Sequence, residues 1–211
     1  MAAIPSSAAR ARWTSILLLV SGGSAVINLL FSAAFLLTDF EEHPSFSKVF
    51  DTLSPLTYTI AFADYFSYRL TPVAFLMWEY RVVRQLGTLG LDVGATPGWA
   101  IGWWFVPFAN LIKPFKIIRR TVSLLSLEAP IPLAHLGVWW ATNFLARALR
   151  TTAERSPIGV FAIEKYNPVL AYTLALGTPF CAIIAAVLCN HLVRKVQGRL
   201  DSLRAPYLPH V

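Results

Sequence analysis

Not one charged residue occurs between Trp13 and Leu37. As a helix, that run is long enough to cross a hydrocarbon core about 30 Å thick. No other feature restricts the fold so severely. Lipid offers no partner to backbone N–H and C=O groups, so such a run must satisfy them internally, as a helix. Further apolar runs follow at 55–80, 131–149 and 168–193. With 56% hydrophobic residues, 14% charged and a mean hydropathy of +0.57, the chain is too apolar for an ordinary soluble domain. The expected fold is all-α: one membrane domain over 1–211, a polytopic transmembrane helix bundle.

Arg10 and Arg12 precede the first run. A basic start before an apolar core is also how a secretory leader reads, but this run exceeds the leader's usual length of about 7–15 residues. A retained signal-anchor helix at 13–37 is the reading preferred. Ser21, Ala25, Asn28 and Ser32 make a small or polar stripe along it, suited to helix packing.

Thr38 to Leu53 is polar and acidic and reads as an outer loop, with Ser54-Pro55 as an N-cap and first helical position. The second run, 55–80, holds Asp64, Tyr65, Tyr68 and Arg69 near its middle. A charge at membrane depth costs at least about 2.5 kcal/mol, so it faces protein or water. Asp64 and Arg69 are about 140° apart round a helix, which sends each to a partner on another element. Glu79 and Arg81 read as boundary residues at the interface.

Pro97 to Arg120, PGWAIGWWFVPFANLIKPFKIIRR, opens apolar and closes cationic. As a helix, 98–113 would be short for a crossing, and Pro107 and Pro114 remove bonds to the carbonyls of Trp103 and Asn110. It reads as a partial, re-entrant or broken span, or as a kinked helix extended through snorkelling Lys113 and Lys116, with Trp103 and Asn110 as candidates for lining a site. From 114 to 128 the pattern is amphipathic. Phe115, Ile118, Val122 and Leu125 form one stripe, and Lys113, Lys116, Arg119 and Arg120 are placed to meet anionic lipid headgroups.

Sorting the net charge of +7 by the positive-inside rule favours four full spans (13–37, 55–80, 131–149, 168–193) plus the partial one. Both termini and the Lys113–Arg120 cluster are then cytoplasmic, in the plasma membrane, while Lys48, Arg147, Arg150, Arg155 and Lys165 lie outside. Five spans is the alternative, and it moves the cluster and the basic tail outside.

The residues Pro97, Gly98, Trp99, Ala100, Trp104, Phe105, Val106, Pro107, Ala109, Asn110 and Pro114 carry a resemblance. Their pattern resembles the signature region of the family called domain of unknown function 4328, and Phe75 to Gly90 is similar to its preceding Trp-then-basic segment. The resemblance covers roughly Pro55 to Val193. It implies a multi-pass bacterial membrane protein without assigned catalytic residues.

Chemistry that the chain lacks narrows the function. There is no nucleotide loop, no Gly-x-Ser-x-Gly elbow, no His-Glu-x-x-His and no Cys-His metal spacing. Cys181 and Cys189 would lie about 12 Å apart along a helix, beyond disulfide reach, and read as packing residues. His135 and His191 fall near one membrane face, where a bis-histidine haem competes with plain interfacial placement; the latter is preferred, so no cofactor and no metal are expected. Basic charge here reads as membrane-surface chemistry, with no nucleic acid partner. The expected function is a non-enzymatic structural, scaffold or regulatory component, with a homo-oligomer or another membrane protein as partner. The alternative is a small transporter or channel with a polar site around Asp64, Arg69, Trp103 and Asn110.

Overall fold

A first helix, α1, runs over Ala8–Leu37, and its inward stripe is made mostly of small or short polar groups. Ser7, Ala11, Thr14, Leu18, Ser24 and Ala25 are buried, whereas Trp13, Leu19 and Leu30 are each 63% exposed. Large apolar groups outside and small ones inside is the packing logic of helices that meet in lipid. Asn28 lies outside this stripe and is exposed; Gly22 is at its centre, where an added Cβ would come within 3.3 Å of the Ala186 Cβ. The computed structural model describes residues 6–37, 44–127, 129–155 and 167–204. The expected outer-loop acids Asp39, Glu41 and Glu42, and Glu164 and Lys165, lie outside the described residues.

Helix α2 spans Pro44–Thr88, longer than expected at both ends. Proline's fixed φ suits the first turn, and Pro44, not Pro55, occupies that place. At the other end Val82, Val83 and Leu86 are buried, so packing carries the helix two turns past Tyr80. It stops where Gly90 adopts φ +74°: Leu91 N–H bonds the Leu86 carbonyl at 2.9 Å and Gly90 N–H that of Gly87 at 3.1 Å, a Schellman closure.

The stretch after the loop is not one helix. Thr96 caps α3, Pro97–Gly102, by accepting from Trp99 N–H, with Pro97 in the first turn. Turns follow, Phe108 takes φ +63°, and a 3-10 turn at Ala109–Leu111 leads into α4, Lys113–Leu124. Pro114 therefore opens α4, where its missing N–H is harmless.

Helix α5 spans Leu133–Arg155, six residues beyond the expected end at 149. Asn167 caps α6, Pro168–Tyr172, through Leu170 N–H. A π-helical turn, Thr173–Gly177, joins α6 to α7, Thr178–Arg204. Pro179 withdraws a backbone donor there, and a π-turn is one way to absorb that loss.

Every regular element among the described residues is helical. Two stretches, Ala8–Ala34 and Val169–Arg204, are long and apolar enough to cross a membrane. The chain forms two compact units. The first draws on Met1–Leu18, Leu70–Val138 and Leu188–Val211, the second on Leu19–Arg69 and Trp139–Val187.

Candidate functional site

In the second unit, three helices converge on one carboxylate. Asp64 Oδ2 accepts from Arg150 Nη2 at 2.8 Å, and Oδ1 accepts from Ser24 Oγ at 3.1 Å. Arg150 is fixed twice more. Its Nε donates to Glu154 Oε1 at 3.0 Å one turn along α5, and its guanidinium carbon lies 4.0 Å from the Tyr68 ring centroid. The Arg150 and Asp64 side chains are only 21% and 16% exposed. Removing water makes each charge costly alone and the pair, with its added hydrogen bonds, tolerable. Ser24 Oγ also lies 3.0 Å from the Ser21 carbonyl, and its single proton serves one acceptor at a time, so the firm tie is between α2 and α5, with α1 in bonding reach.

Of the residues expected to share a polar site, Asp64 and Arg69 belong to this unit, and Trp103 and Asn110 to the first. Arg69 is exposed, with its guanidinium carbon 4.4 Å from the Tyr65 centroid. Trp103 stacks on Trp99 at 4.8 Å and lies 5.3 Å from Lys113 Nζ. Asn110 N–H bonds the Val106 carbonyl at 3.0 Å. The residues gathered round Asp64 that sequence reasoning missed are Ser24, Arg150 and Glu154. Only the Arg150–Glu154 spacing signalled it: an i, i+4 ion pair belongs on a helix.

The first unit buries a polar network. Ser7 Oγ lies 2.9 Å from Gln85 Oε1 and 2.7 Å from Gln197 Oε1, and its single proton serves one at a time. Trp78 Nε1 donates to Gln197 Oε1 at 3.3 Å, and Gln197 Nε2 to Asp201 Oδ1 at 2.8 Å. Glu79, expected at a boundary, is 3% exposed. Its Oε2 accepts from Trp104 Nε1 at 2.9 Å, while Oε1 is buried without a hydrogen-bond partner among the described residues. Helix α4 turns Ile117, Ile118, Thr121 and Val122 inward. Its apolar face is thus spent on protein, where lipid had been expected. Lys113, Lys116, Arg119 and Arg120 remain exposed, and Arg120 Nε donates to the Asp92 carbonyl at 2.8 Å. Among the described residues no three His, Cys, Asp or Glu side chains cluster to hold a metal.

A family model described as "Domain of unknown function (DUF4328)" matches residues 39–198, well over half of the chain. The chain belongs to this family. The DUF4328 match takes in α2 through most of α7, and therefore Asp64, Tyr68, Glu79, Trp104 and Arg150; it leaves out Ser7 and α1 with Ser24. No curated protein and no solved structure matches the chain.

Proposed function

We infer that this DUF4328 protein is an integral membrane protein of a bacterial plasma membrane, and that it acts as a structural or regulatory component without catalysis of its own. It crosses the bilayer four times, through α1, α2, α5 and α6–α7. Asp64, Arg69, Arg147 and Arg150 lower the hydropathy of α2 and α5, but Asp64 and Arg150 offset each other. Exposed Phe62 and Leu145 on those helices suit contact with acyl chains. The first unit contains the start of α1, the end of α2, α4 and the end of α7. That supports both termini and the basic helix on the cytoplasmic side. Between α2 and α4, Trp99, Phe105, Phe108, Leu111 and Ile112 are exposed next to Lys113 and Lys116. Apolar and aromatic groups beside cations suit a segment resting in the headgroup region. Anionic lipid is the partner of that surface, and a second copy or another membrane protein is the partner of the scaffold.

The observation that carries the non-catalytic reading is the Asp64 cluster, in which Arg150 holds one carboxylate oxygen and the Ser24 hydroxyl lies within bonding distance of the other. A site that passes ions keeps groups free for them. The second reading, a transporter or channel, draws on Arg69, which has no carboxylate partner among the described residues, and on the broken Pro97–Ile112 segment. Proteoliposomes holding the full chain decide between them. No flux of common ions or metabolites is expected; flux that Arg69→Ala abolishes overturns the scaffold reading.

A further inference from the structure

Two histidines far apart in sequence meet in the first unit. His135, in the first turn of α5, and His191, in α7, place their ring centroids 5.2 Å apart with the planes at 41°. Each ring is anchored through the same atom. His135 Nε2 lies 3.1 Å from the Leu188 carbonyl oxygen, and His191 Nε2 lies 3.2 Å from that of Pro130. The anchoring is reciprocal: His135 bonds the backbone one turn before His191, and His191 bonds the backbone shortly before α5. A carbonyl can only accept, so both Nε2 atoms carry their protons, which leaves Nδ1 of each ring as the free lone pair.

We propose that His135 and His191 form a site for a first-row divalent ion of the imidazole-binding kind, with copper(II) or zinc as the metal class, bound through the two Nδ1 atoms. The anchoring matches what metal-ligating histidines do: the other ring N–H donates to a carbonyl or carboxylate, fixing tautomer and orientation before the ion arrives. The spacing agrees. Two imidazoles on adjacent positions of a tetrahedral ion, with bonds of about 2.0–2.1 Å, have centroids about 5 Å apart. Axial ligands on opposite sides of one haem iron would need about 6 Å by the same bond lengths, so the pair does not suit a haem. Both side chains are half-buried, so an ion can reach them from solvent. With two protein ligands the remaining positions go to water, and the ion exchanges readily. Binding is further moderated because His135 lies at a helix start, where the dipole disfavours cations. This inference does not rest on the scaffold reading.

The test uses the full chain in detergent, carrying no histidine tag, titrated with copper(II) alone and followed by electron paramagnetic resonance. One saturable copper with nitrogen couplings from two imidazoles is expected. His135→Ala or His191→Ala should each weaken binding by at least about tenfold and leave one coupled nitrogen. A His43→Ala/His210→Ala variant, lacking the chain's other two histidines, should bind like wild type. Because an alanine variant could fail to fold, wild type is also melted with and without the ion, and a raised Tm at saturation is expected. No saturable binding by wild type, or two-nitrogen binding that survives in a folded His135→Ala/His191→Ala variant, overturns the proposal.

Discussion

Arg150 reaches Asp64 across 2.8 Å from a helix turn that lies beyond the apolar run of its own element. Ser24 lies 3.1 Å from the other carboxylate oxygen, so three helices meet at one acid. Removing Arg150 strands Asp64 at low exposure, and removing Asp64 leaves Arg150 only its outer partner Glu154, whereas removing both leaves only lost contacts. Asp64→Ala and Arg150→Ala should each destabilise the folded protein by about 2 kcal/mol, and the double variant by clearly less than the sum. Thermal unfolding of the four proteins in one detergent measures this. Strict additivity would show that the pair is not coupled.

Glu79 gives a second test, because its two oxygens differ. Oε2 holds Trp104, and Oε1 holds nothing among the described residues. Glu79→Gln retains an acceptor for the indole N–H and should stay within about 0.5 kcal/mol of wild type. Glu79→Leu removes the acceptor of that bond and should cost about 1–3 kcal/mol. Equal losses in the two variants would mean that the Trp104 bond does not hold the Pro97–Ile112 segment.

Adjacent glycines in α1 should behave differently. A Cβ at Gly22 would meet the Ala186 Cβ at 3.3 Å, while one at Gly23 meets nothing within 4 Å. Gly22→Val should cost about 1–3 kcal/mol through forced separation of helices. Gly23→Ala should be neutral or stabilising, since alanine is the better helix former by about 1 kcal/mol. Unfolding midpoints of the two variants provide the comparison; equal tolerance would contradict the close α1–α7 approach.

The four exposed cations of α4 are not equivalent. Arg120 is already engaged with the Asp92 carbonyl, whereas Lys116 and Arg119 have no such tie among the described residues. Anionic phospholipid retained by the purified protein in native mass spectrometry should fall with Lys116→Gln and Arg119→Gln, each worth about 1 kcal/mol near a charged surface. Arg120→Gln should change it less. If Arg120→Gln has the largest effect, the assignment of the outward face is wrong.

Much of this was legible in the residues and some was not, for physical reasons. Uncharged length reveals α1, because only a helix satisfies a backbone in oil, and the joint Trp, Pro and Asn spacing reveals the family. The extension of α5 to Arg155 was hidden because hydropathy stops at the first cluster of charges, whereas helix continues while pairs such as Arg150–Glu154 support it. The fate of α4 was hidden too. Periodicity states that a helix has an apolar face, and only tertiary structure decides whether Ile117, Ile118 and Val122 meet lipid or protein. Likewise the burial of Glu79 depends on Trp104, supplied by a segment whose path the prolines leave open.

Four crossings with α4 at the cytoplasmic face are the central proposal. Single cysteines at exposed Ser123, Thr152 and Ser202, labelled in intact cells by a membrane-impermeant maleimide, test it most directly, because both native cysteines are buried. Thr152→Cys should label from outside, and Ser123→Cys and Ser202→Cys only after the cells are opened. Outside labelling at Ser123 and Ser202 with protection at Thr152 would mean that the Pro97–Ile112 segment crosses, and would contradict the account.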